Sequence, residues 1–196
     1  MKRKIGSIYY NGKVGVEEQE MPQLKDNQVL VEVHTSLISP GTEMSLVRKL
    51  REKPWPADSV PMQFGYSNAG IILETKGDVK GLKPGMRVAC MGAGAAQHAD
   101  YAAVPVNLVV PLPDEVTFEQ ASYLSLAATS LQAVRRTEVK LGEYGAVLGQ
   151  GIVGNLAAQL YQLSGARSLP GKRFPCARKS PPTAGSKPSI SSKMTR

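Results

Sequence analysis

The feature that most constrains this 196-residue chain is a glycine turn late in the sequence, Gly149-x-Gly151-x-x-Gly154. It follows a short apolar run at Ala146 and precedes an amphipathic run that starts at Asn155. In a strand–turn–helix unit the first glycine permits the tight turn, the second lets the backbone approach a pyrophosphate, and the third lets helix and strand pack closely. The helix N-terminus adds unpaired N–H groups. The pattern therefore predicts a dinucleotide-binding unit; the alternative is a turn that only packs a helix.

Upstream of the glycine turn, short apolar runs alternate with glycine and proline turns. Residues 28–34 alternate apolar and polar side chains, which is typical of a strand with one buried face. Further strands are predicted over residues 68–75, 87–91, 101–105 and 108–111. Many short strands punctuated in this way predict an all-β barrel or sandwich-like unit.

Helical patterns begin after Pro113. Thr117 has the character of a helix N-cap, because glutamate and glutamine occupy the turn that follows it. Residues 118–136 carry apolar side chains at helical spacing and predict two helices that break near Ser125. A short buried strand over residues 145–148, the glycine turn and a helix from Asn155 then form the first half of a βαβ unit.

The sequence changes character after Arg167. Residues 168–196 contain five prolines, no acidic residue and no regular periodicity, and their seven basic residues are Lys172, Arg173, Arg178, Lys179, Lys187, Lys193 and Arg196. This composition is typical of a disordered tail. We therefore predict an α+β fold leading into α/β. Its parts are a β domain over residues 1–125, only the first β-turn-α of a dinucleotide-binding domain over 126–167, and a disordered basic tail over 168–196.

The net charge of +8 belongs to that tail. Without its seven basic residues the chain keeps 17 of its 24 basic residues against 16 acidic ones, so the body is close to neutral. A bare polybasic tail with few aromatics predicts no specific nucleic-acid partner. No apolar run is long enough to span a membrane, and the first residues do not form a signal peptide. The two cysteines lack metal-ligand spacing, so we expect a cytoplasmic, disulfide-free chain.

The order of these motifs resembles the medium-chain dehydrogenase/reductase superfamily, which includes zinc alcohol dehydrogenases and quinone reductases. The resemblance extends from residue 1 to residue 167 and rests on the glycine turn and on five segments that begin at Val29, Pro61, Gly81, His98 and Thr129. It implies a GroES-like β barrel followed by the start of a Rossmann domain, with NAD(P) and a small-molecule substrate in the cleft between them. It also implies that full-length relatives are dimers or tetramers.

Zinc-dependent members of that superfamily hold the metal with residues from three sequence slots. Here the first slot is Ser39-Pro-Gly-Thr-Glu, the second is Gly65-Tyr-Ser, and the third falls near Ser125. A catalytic zinc needs three Cys, His or carboxylate ligands. The slots have lost the family's ligands, and we interpret the nearby Glu43 as a salt-bridged or solvated turn residue. We therefore expect no metal site, in a zinc-independent subgroup related to threonine and sorbitol dehydrogenases and to bacteriochlorophyllide dehydrogenase.

Without zinc, hydroxyl or backbone donors must polarise the oxygen of the substrate. Thr42 and Tyr66 are the hydroxyls in the cleft-facing slots, and we expect them to stabilise a developing alkoxide or enolate. The alternatives are an ordinary turn hydroxyl and a tyrosine packed under the cleft. The resemblance places Thr129 near the nicotinamide ring; alternatively, its hydroxyl bonds its own helix. The other expected cofactor contacts are Gly149, Gly151, Ile152, Val153 and Gly154.

Neither histidine is expected to be catalytic. His34 lies on the polar side of its strand, where a surface position is expected. His98 matches a position that, in the resemblance, helps to shape the barrel. The two are 64 residues apart in sequence and carry no metal-ligand spacing.

Two functional hypotheses follow. The first is a truncated NAD(P)-dependent oxidoreductase, cut short near Arg167 and inactive alone, that transfers hydride to or from a carbonyl, alcohol or enone without catalytic zinc. The choice between NAD and NADP depends on a residue beyond the predicted unit. The second hypothesis is a non-catalytic GroES-like module that binds a partner or small ligand, with the basic tail as a nucleic-acid or membrane-surface arm.

Overall fold

The computed structural model describes residues 1–171, in which a mostly β part precedes a part that contains three of the four helices. The strands are β1 (Lys2–Ile8), β2 (Val14–Glu20), β3 (Gln28–Ser36), β4 (Met62–Gln63), β5 (Ser67–Lys76), β6 (Arg87–Met91), β7 (Tyr101–Pro105), β8 (Val109–Pro111), β9 (Tyr144–Leu148) and β10 (Arg167–Gly171). The helices are α1 (Glu43–Glu52), α2 (Phe118–Ala121), α3 (Leu124–Arg136) and α4 (Ile152–Leu163), and a single 3₁₀ turn covers Val106–Leu108.

Strands β1 to β8 form a GroES-like barrel from two antiparallel sheets. In the described part of the chain one sheet has the order β7-β3-β5-β6-β8 and the other the order β2-β1-β4. Strand β1 links them, because the Gly6 N–H donates to the His98 carbonyl at 2.7 Å and the Asp100 N–H donates to the Lys4 carbonyl at 3.1 Å. Alternating apolar side chains fill the interior, among them Val29, Val31, Ile72, Val88, Ala102 and Val104. The predicted strands and barrel are confirmed.

Cys90 belongs to this interior and has no exposed surface. Burial raises the pKa of its thiol to about 12, because apolar surroundings penalise the charged thiolate. The thiol therefore stays protonated at neutral pH and packs as a small apolar side chain. We assign it no chemical role.

Helix α1 has no counterpart among the predicted elements. Its buried residues Val47 and Leu50 pack on Ile8 of β1. An isolated helix of ten residues is marginal in water, so α1 depends on this contact between segments that are distant in sequence. A local pattern does not reveal such a contact, which is why the helix was not predicted.

The two predicted helices after the barrel are confirmed as α2 and α3. Thr117 caps α2, since its hydroxyl accepts from the Gln120 N–H at 3.3 Å while the Gln120 side chain accepts from the Thr117 N–H at 3.0 Å. Ala121 packs against Ala69 and Ala89 of the barrel. Over residues 1–171, no helix combines the length and apolar character that a membrane crossing needs.

Strands β9 and β10 are parallel and are connected by α4, so the last unit is a βαβ unit and not only its first half. Strand β10 continues to Gly171, four residues past the predicted boundary at residue 167. Proline and glycine are depleted in strands, which argued against a strand at Pro170. A proline is nevertheless tolerated at a sheet edge, and β10 is an edge strand among the described residues. Residues 172–196 of the predicted tail lie outside the described residues.

Candidate functional site

A cleft of about 580 Å³ lies between the barrel and the βαβ unit. Its lining comes from the loop before α1, from the loop before β5, from α3, and from the glycine turn with the first turn of α4. The lining residues are Ser39, Pro40, Gly41, Thr42, Tyr66, Leu126, Thr129, Gly149, Gly151, Ile152, Val153 and Gly154. All the residues predicted to bind substrate or cofactor therefore meet in one place, although they come from segments more than 100 residues apart in sequence.

A larger cleft, of about 770 Å³, opens against another face of α4. It shares Gly151 and Ile152 with the smaller cleft, but its other walls are α2, the start of α3 and the side of α4 that carries Asn155 and Gln159. None of the hydroxyls predicted to act on a substrate reaches it. The smaller cleft is therefore the candidate active site.

The glycine turn has the geometry that an anionic ligand requires. Gly149 has a φ of 95°, which glycine adopts without strain. The Asn155 N–H donates to the Gly151 carbonyl at 2.8 Å, so α4 begins at Ile152, three residues before the predicted start. The N–H groups of the first helical turn have no intrahelical acceptor. A Cβ placed on Gly149 or Gly151 would meet no atom within 4 Å, so the space in front of the turn is open and fits a pyrophosphate.

Gly154 has a different role, because it brings helix and strand together. A Cβ at this position would lie 1.9 Å from the Gly149 carbonyl oxygen and 3.5 Å from the Cγ1 of Val147. Only glycine permits this approach of α4 to β9. The geometry thus supports the packing role that was predicted for the third glycine.

Ser130 fixes α4 against α3 and was not predicted. It is fully buried, and its hydroxyl lies 2.8 Å from the Leu126 carbonyl and 3.0 Å from the Val153 carbonyl. Since Val153 is in the first turn of α4, this contact positions the glycine turn relative to α3. The only sequence signal for this contact was a small polar residue among the apolar positions of a helix. Such residues are common, so the signal is weak.

Thr42 and Tyr66 place two hydroxyls on the barrel side of the cleft. Thr42 precedes α1 and is exposed, and its side chain makes no capping hydrogen bond to the helix. Tyr66 is half-buried, and its carbonyl accepts from the Gly92 N–H at 2.9 Å, which anchors its backbone to the barrel. Within residues 1–171 neither hydroxyl has a hydrogen-bond partner, so both are available to a ligand.

Thr129 is exposed at the cleft, but its hydroxyl donates to the Ser125 carbonyl at 2.9 Å. This is the bond to its own helix that the sequence left open as the alternative. The oxygen keeps its lone pairs, so the side chain presents an acceptor and a methyl group to the cleft. Its predicted role beside the nicotinamide stays a prediction.

The second and third zinc slots converge, but serines occupy them. The Ser67 hydroxyl donates to the Ser122 carbonyl and accepts from the Ser125 N–H at 3.3 Å. Ser67 has no exposed surface, and Ser125 is 7 % exposed. The first slot contributes Pro40, which has no donor atom in its side chain. In the second and third slots this chain has hydrogen bonds that join Ser67 to Ser122 and Ser125.

Glu43 and His98 form a buried pair beside the cleft. The Glu43 Oε1 lies 3.0 Å from the His98 Nε2, and their side chains are 6 % and 11 % exposed. Glu43 is therefore a buried partner of His98, and the solvated interpretation is wrong. His34 is 40 % exposed, as expected for a surface histidine. Among residues 1–171 no three His, Cys, Asp or Glu side chains are close enough together to hold a metal ion.

Known proteins resemble both the barrel and the chain as a whole. Residues 25–114 match the alcohol dehydrogenase GroES-like domain. The chain is 32 % identical over 150 residues to the NADPH-dependent alkenal/one oxidoreductase of Arabidopsis thaliana, an alignment that covers 71 % of this chain and 38 % of that protein. The homologues of this chain are medium-chain dehydrogenases/reductases, the superfamily that its sequence resembles.

Two further relatives agree with this resemblance to medium-chain dehydrogenases/reductases. The L-threonine 3-dehydrogenase of Legionella pneumophila (strain Corby) is 27 % identical over 182 residues, which are 80 % of this chain and 53 % of that protein. An alcohol dehydrogenase superfamily protein from Novosphingobium aromaticivorans has a TM-score of 0.72 and 26 % identity, over 85 % of this chain and 52 % of that one. The chain thus spans about half the length of such relatives, or less.

Proposed function

We propose that this chain contains the substrate side and the start of the cofactor side of an NAD(P)-dependent oxidoreductase that works without catalytic zinc. Residues 1–125 form the substrate side, and residues from 126 begin the cofactor side. The reaction is hydride transfer to or from a carbonyl, alcohol or enone. The observation that carries the proposal is the cleft, whose lining brings Thr42 and Tyr66 together with the glycine turn and the start of α4.

The glycine turn and α4 hold the cofactor. The first-turn N–H groups of Ile152, Val153 and Gly154 and the positive end of the helix dipole bind the pyrophosphate. Thr129 lines the same cleft and orients the nicotinamide ring. When bound, the cofactor supplies or accepts the hydride. The chain's contribution is to bind and orient it toward the barrel.

Thr42 and Tyr66 act on the oxygen of the substrate. Hydride addition to a carbonyl carbon, or to the β carbon of an enone, leaves negative charge on that oxygen. A hydroxyl that donates to this oxygen stabilises the charge as it forms. The same hydroxyl can pass its proton to the oxygen, and solvent restores it.

The residues in the three slots do not fit a zinc centre. Pro40 offers no ligand atom, the Ser67 hydroxyl is engaged with Ser122 and Ser125, and Glu43 uses both oxygens within the protein, on His98 and on the Ser39 N–H. We therefore assign no step to a metal. The non-catalytic alternative is not favoured, because the relatives are dehydrogenases and reductases.

For the cofactor we propose NADP(H). In a Rossmann unit an acidic residue soon after the second strand binds the ribose hydroxyls of NAD, whereas a basic residue there accommodates the 2′-phosphate of NADP. In this sequence β10 is followed directly by Lys172 and Arg173, and no acidic residue occurs from residue 168 to the end.

The first test of the cofactor site is a titration of the ¹⁵N-labelled chain with NADPH, followed by NMR. We expect binding in the millimolar range, because the described part of the chain supplies only the start of a Rossmann domain, with shifts of the Thr129, Gly151 and Gly154 amides. NADH is the matched control and is expected to bind more weakly. The proposal is contradicted if about 10 mM NADPH leaves these amides unshifted, a concentration well above the weak range expected for an incomplete site.

The second test is turnover. The sequence predicts that this length of chain is inactive alone, because its cofactor site is incomplete. Millimolar NADPH fills a weak site, so with a small cyclic enone we expect a slow loss of absorbance at 340 nm that a metal chelator does not reduce. Removing one of the two hydroxyls, in Thr42→Val or Tyr66→Phe, is expected to lower the rate by about 10-fold to 100-fold, since a single donor to an oxyanion has an effect of this order or larger. Equal rates for both variants and the unaltered chain would exclude the hydroxyls from the reaction.

A further inference from the structure

A chain of hydrogen bonds runs through three elements behind the cleft. The Ser36 hydroxyl, at the end of β3, lies 2.9 Å from the His98 Nδ1. The His98 Nε2 lies 3.0 Å from Oε1 of Glu43, the first residue of α1. In the sequence, Ser36 lies 62 residues before His98 and Glu43 lies 55 residues before it. Both ring nitrogens of His98 are thus engaged, and the ring has one orientation.

Glu43 connects this chain to the turn that carries Thr42. Its second carboxylate oxygen, Oε2, accepts from the Ser39 N–H at 2.6 Å, and its own N–H donates to the Ser39 carbonyl at 3.0 Å. Both bonds go to Ser39, so Glu43 closes the turn that runs from Ser39 to Thr42 at its first residue. A charge-assisted bond from a buried carboxylate to a backbone N–H is among the stronger hydrogen bonds in proteins.

His98 connects the same chain to the segment that carries Tyr66. Its N–H donates to the Phe64 carbonyl at 3.0 Å, and its ring meets the Phe64 ring edge-on with centroids 4.9 Å apart. A Cβ on Gly65 would lie 2.4 Å from the His98 nitrogen, so the backbones are in direct contact at the residue before Tyr66. His98 therefore touches both segments that supply a hydroxyl to the cleft.

We propose that His98 and Glu43 are positioning residues that hold the Thr42 and Tyr66 hydroxyls at a set separation across the cleft. The inference rests on the proposed function, because it assigns these two residues a purpose in the same reaction. Neither side chain lines the cleft, so neither touches the substrate. Burial of an ion-pairing carboxylate and an imidazole costs solvation free energy, and a hydrogen-bonded pair offsets that cost.

The first measurement uses no substrate. Exchange of the Ser39 amide proton is followed by NMR in the full chain. In Glu43→Ala the acceptor is gone, and we expect exchange at least about 10-fold faster, because local opening of the turn then no longer breaks a bond. Glu43→Gln keeps an oxygen for Ser39 and an NH₂ for His98, and is expected to restore protection to within about 3-fold. Thermal unfolding of each variant establishes that the barrel is intact.

The second measurement is turnover with NADPH and the enone. His98→Asn keeps an amide near Ser36, but this side chain is too short to reach Glu43. We expect kcat to fall about 10-fold or more while KM changes by less than about 2-fold, because misplaced groups stabilise the transition state less well. We expect the same fall in kcat for Glu43→Ala. In Glu43→Gln, kcat is expected to stay close to that of the unaltered chain. The matched control is His34→Asn, which changes the exposed histidine and leaves kcat unaltered.

Several outcomes overturn the inference. Unchanged Ser39 exchange in Glu43→Ala, or an unchanged kcat in folded His98→Asn, shows that the pair does not position the cleft. If the variants only lower the unfolding temperature and leave kcat intact, the pair is merely structural. If the unaltered chain reduces no enone, the proposed function is wrong, and the exchange of the Ser39 amide still decides whether Glu43 holds the turn.

Discussion

Alanine at Gly154 is expected to disrupt the glycine turn and to abolish cofactor binding. The new Cβ would lie 1.9 Å from the Gly149 carbonyl oxygen and 3.0 Å from its carbon. Backbone atoms in a turn cannot move away as a flexible side chain can, so α4 must separate from β9. We expect a loss of more than about 3 kcal/mol from the βαβ unit, at the upper end of overpacking effects.

Gly151→Ala is the matched control for this substitution. Gly151 has a φ of −74°, which alanine adopts readily, and a Cβ there would meet no atom within 4 Å. We expect this variant to keep the NMR spectrum of β9 and α4 but to lose the shifts caused by NADPH, because a methyl group would occupy the path of the pyrophosphate. Gly154→Ala is expected to lose both the native NMR spectrum of β9 and α4 and the shifts caused by NADPH. If Gly151→Ala binds NADPH normally, the turn does not contact the pyrophosphate.

Alanine at Gly70 is expected to have the largest effect on the barrel. Its Cβ would lie 1.9 Å from the Glu32 carbonyl oxygen and 2.9 Å from the Val33 Cα, between the paired strands β3 and β5. This pairing already contains an irregularity between Val33 and Thr35, so the strands have an unusually close approach at Gly70. We expect a loss of more than about 3 kcal/mol, a large part of the 5–15 kcal/mol that stabilises a typical domain.

Urea unfolding followed by circular dichroism measures this loss as a shift of the midpoint. Gly41→Ala provides the control, because a Cβ at Gly41 would meet no atom within 4 Å and its φ is not in the left-handed region. We expect the control midpoint to stay within about 0.3 M of the unaltered chain, and Gly70→Ala to unfold at a clearly lower concentration or to be insoluble. A folded Gly70→Ala with an unchanged midpoint would mean that β3 and β5 do not approach as described.

Much of the fold could be predicted because its signals are local. Strands β6 and β7 have the predicted bounds, and the Thr117 cap and the break between α2 and α3 lie where turn and capping residues indicated them. Helix α1 and strand β10 were not predicted. The first depends on packing against Ile8, and the second pairs with β9 through backbone bonds that a proline and a glycine in the strand obscured.

The candidate site also has features that the sequence predicts and features that it does not. The glycine turn was predictable because its three glycines, strand and helix are contiguous, and the loss of zinc ligands was apparent from three short segments. The convergence of Thr42, Tyr66 and Thr129 on one cleft was inferred only through resemblance to a family. The roles of Ser67 and Ser130 could not be predicted, because a serine's importance depends on which distant carbonyl it meets.

The sequence by itself determined strands β3 and β5 to β8, helices α2 and α3 and the chemistry available at the glycine turn, since these depend on residues within a few positions of each other. Only the tertiary structure decided that His98 meets Glu43, and that Gly154, unlike Gly151, has no room for a side chain. The physical reason is that such contacts arise from packing between segments far apart in the chain. Local residue preferences carry no information about which of those segments meet.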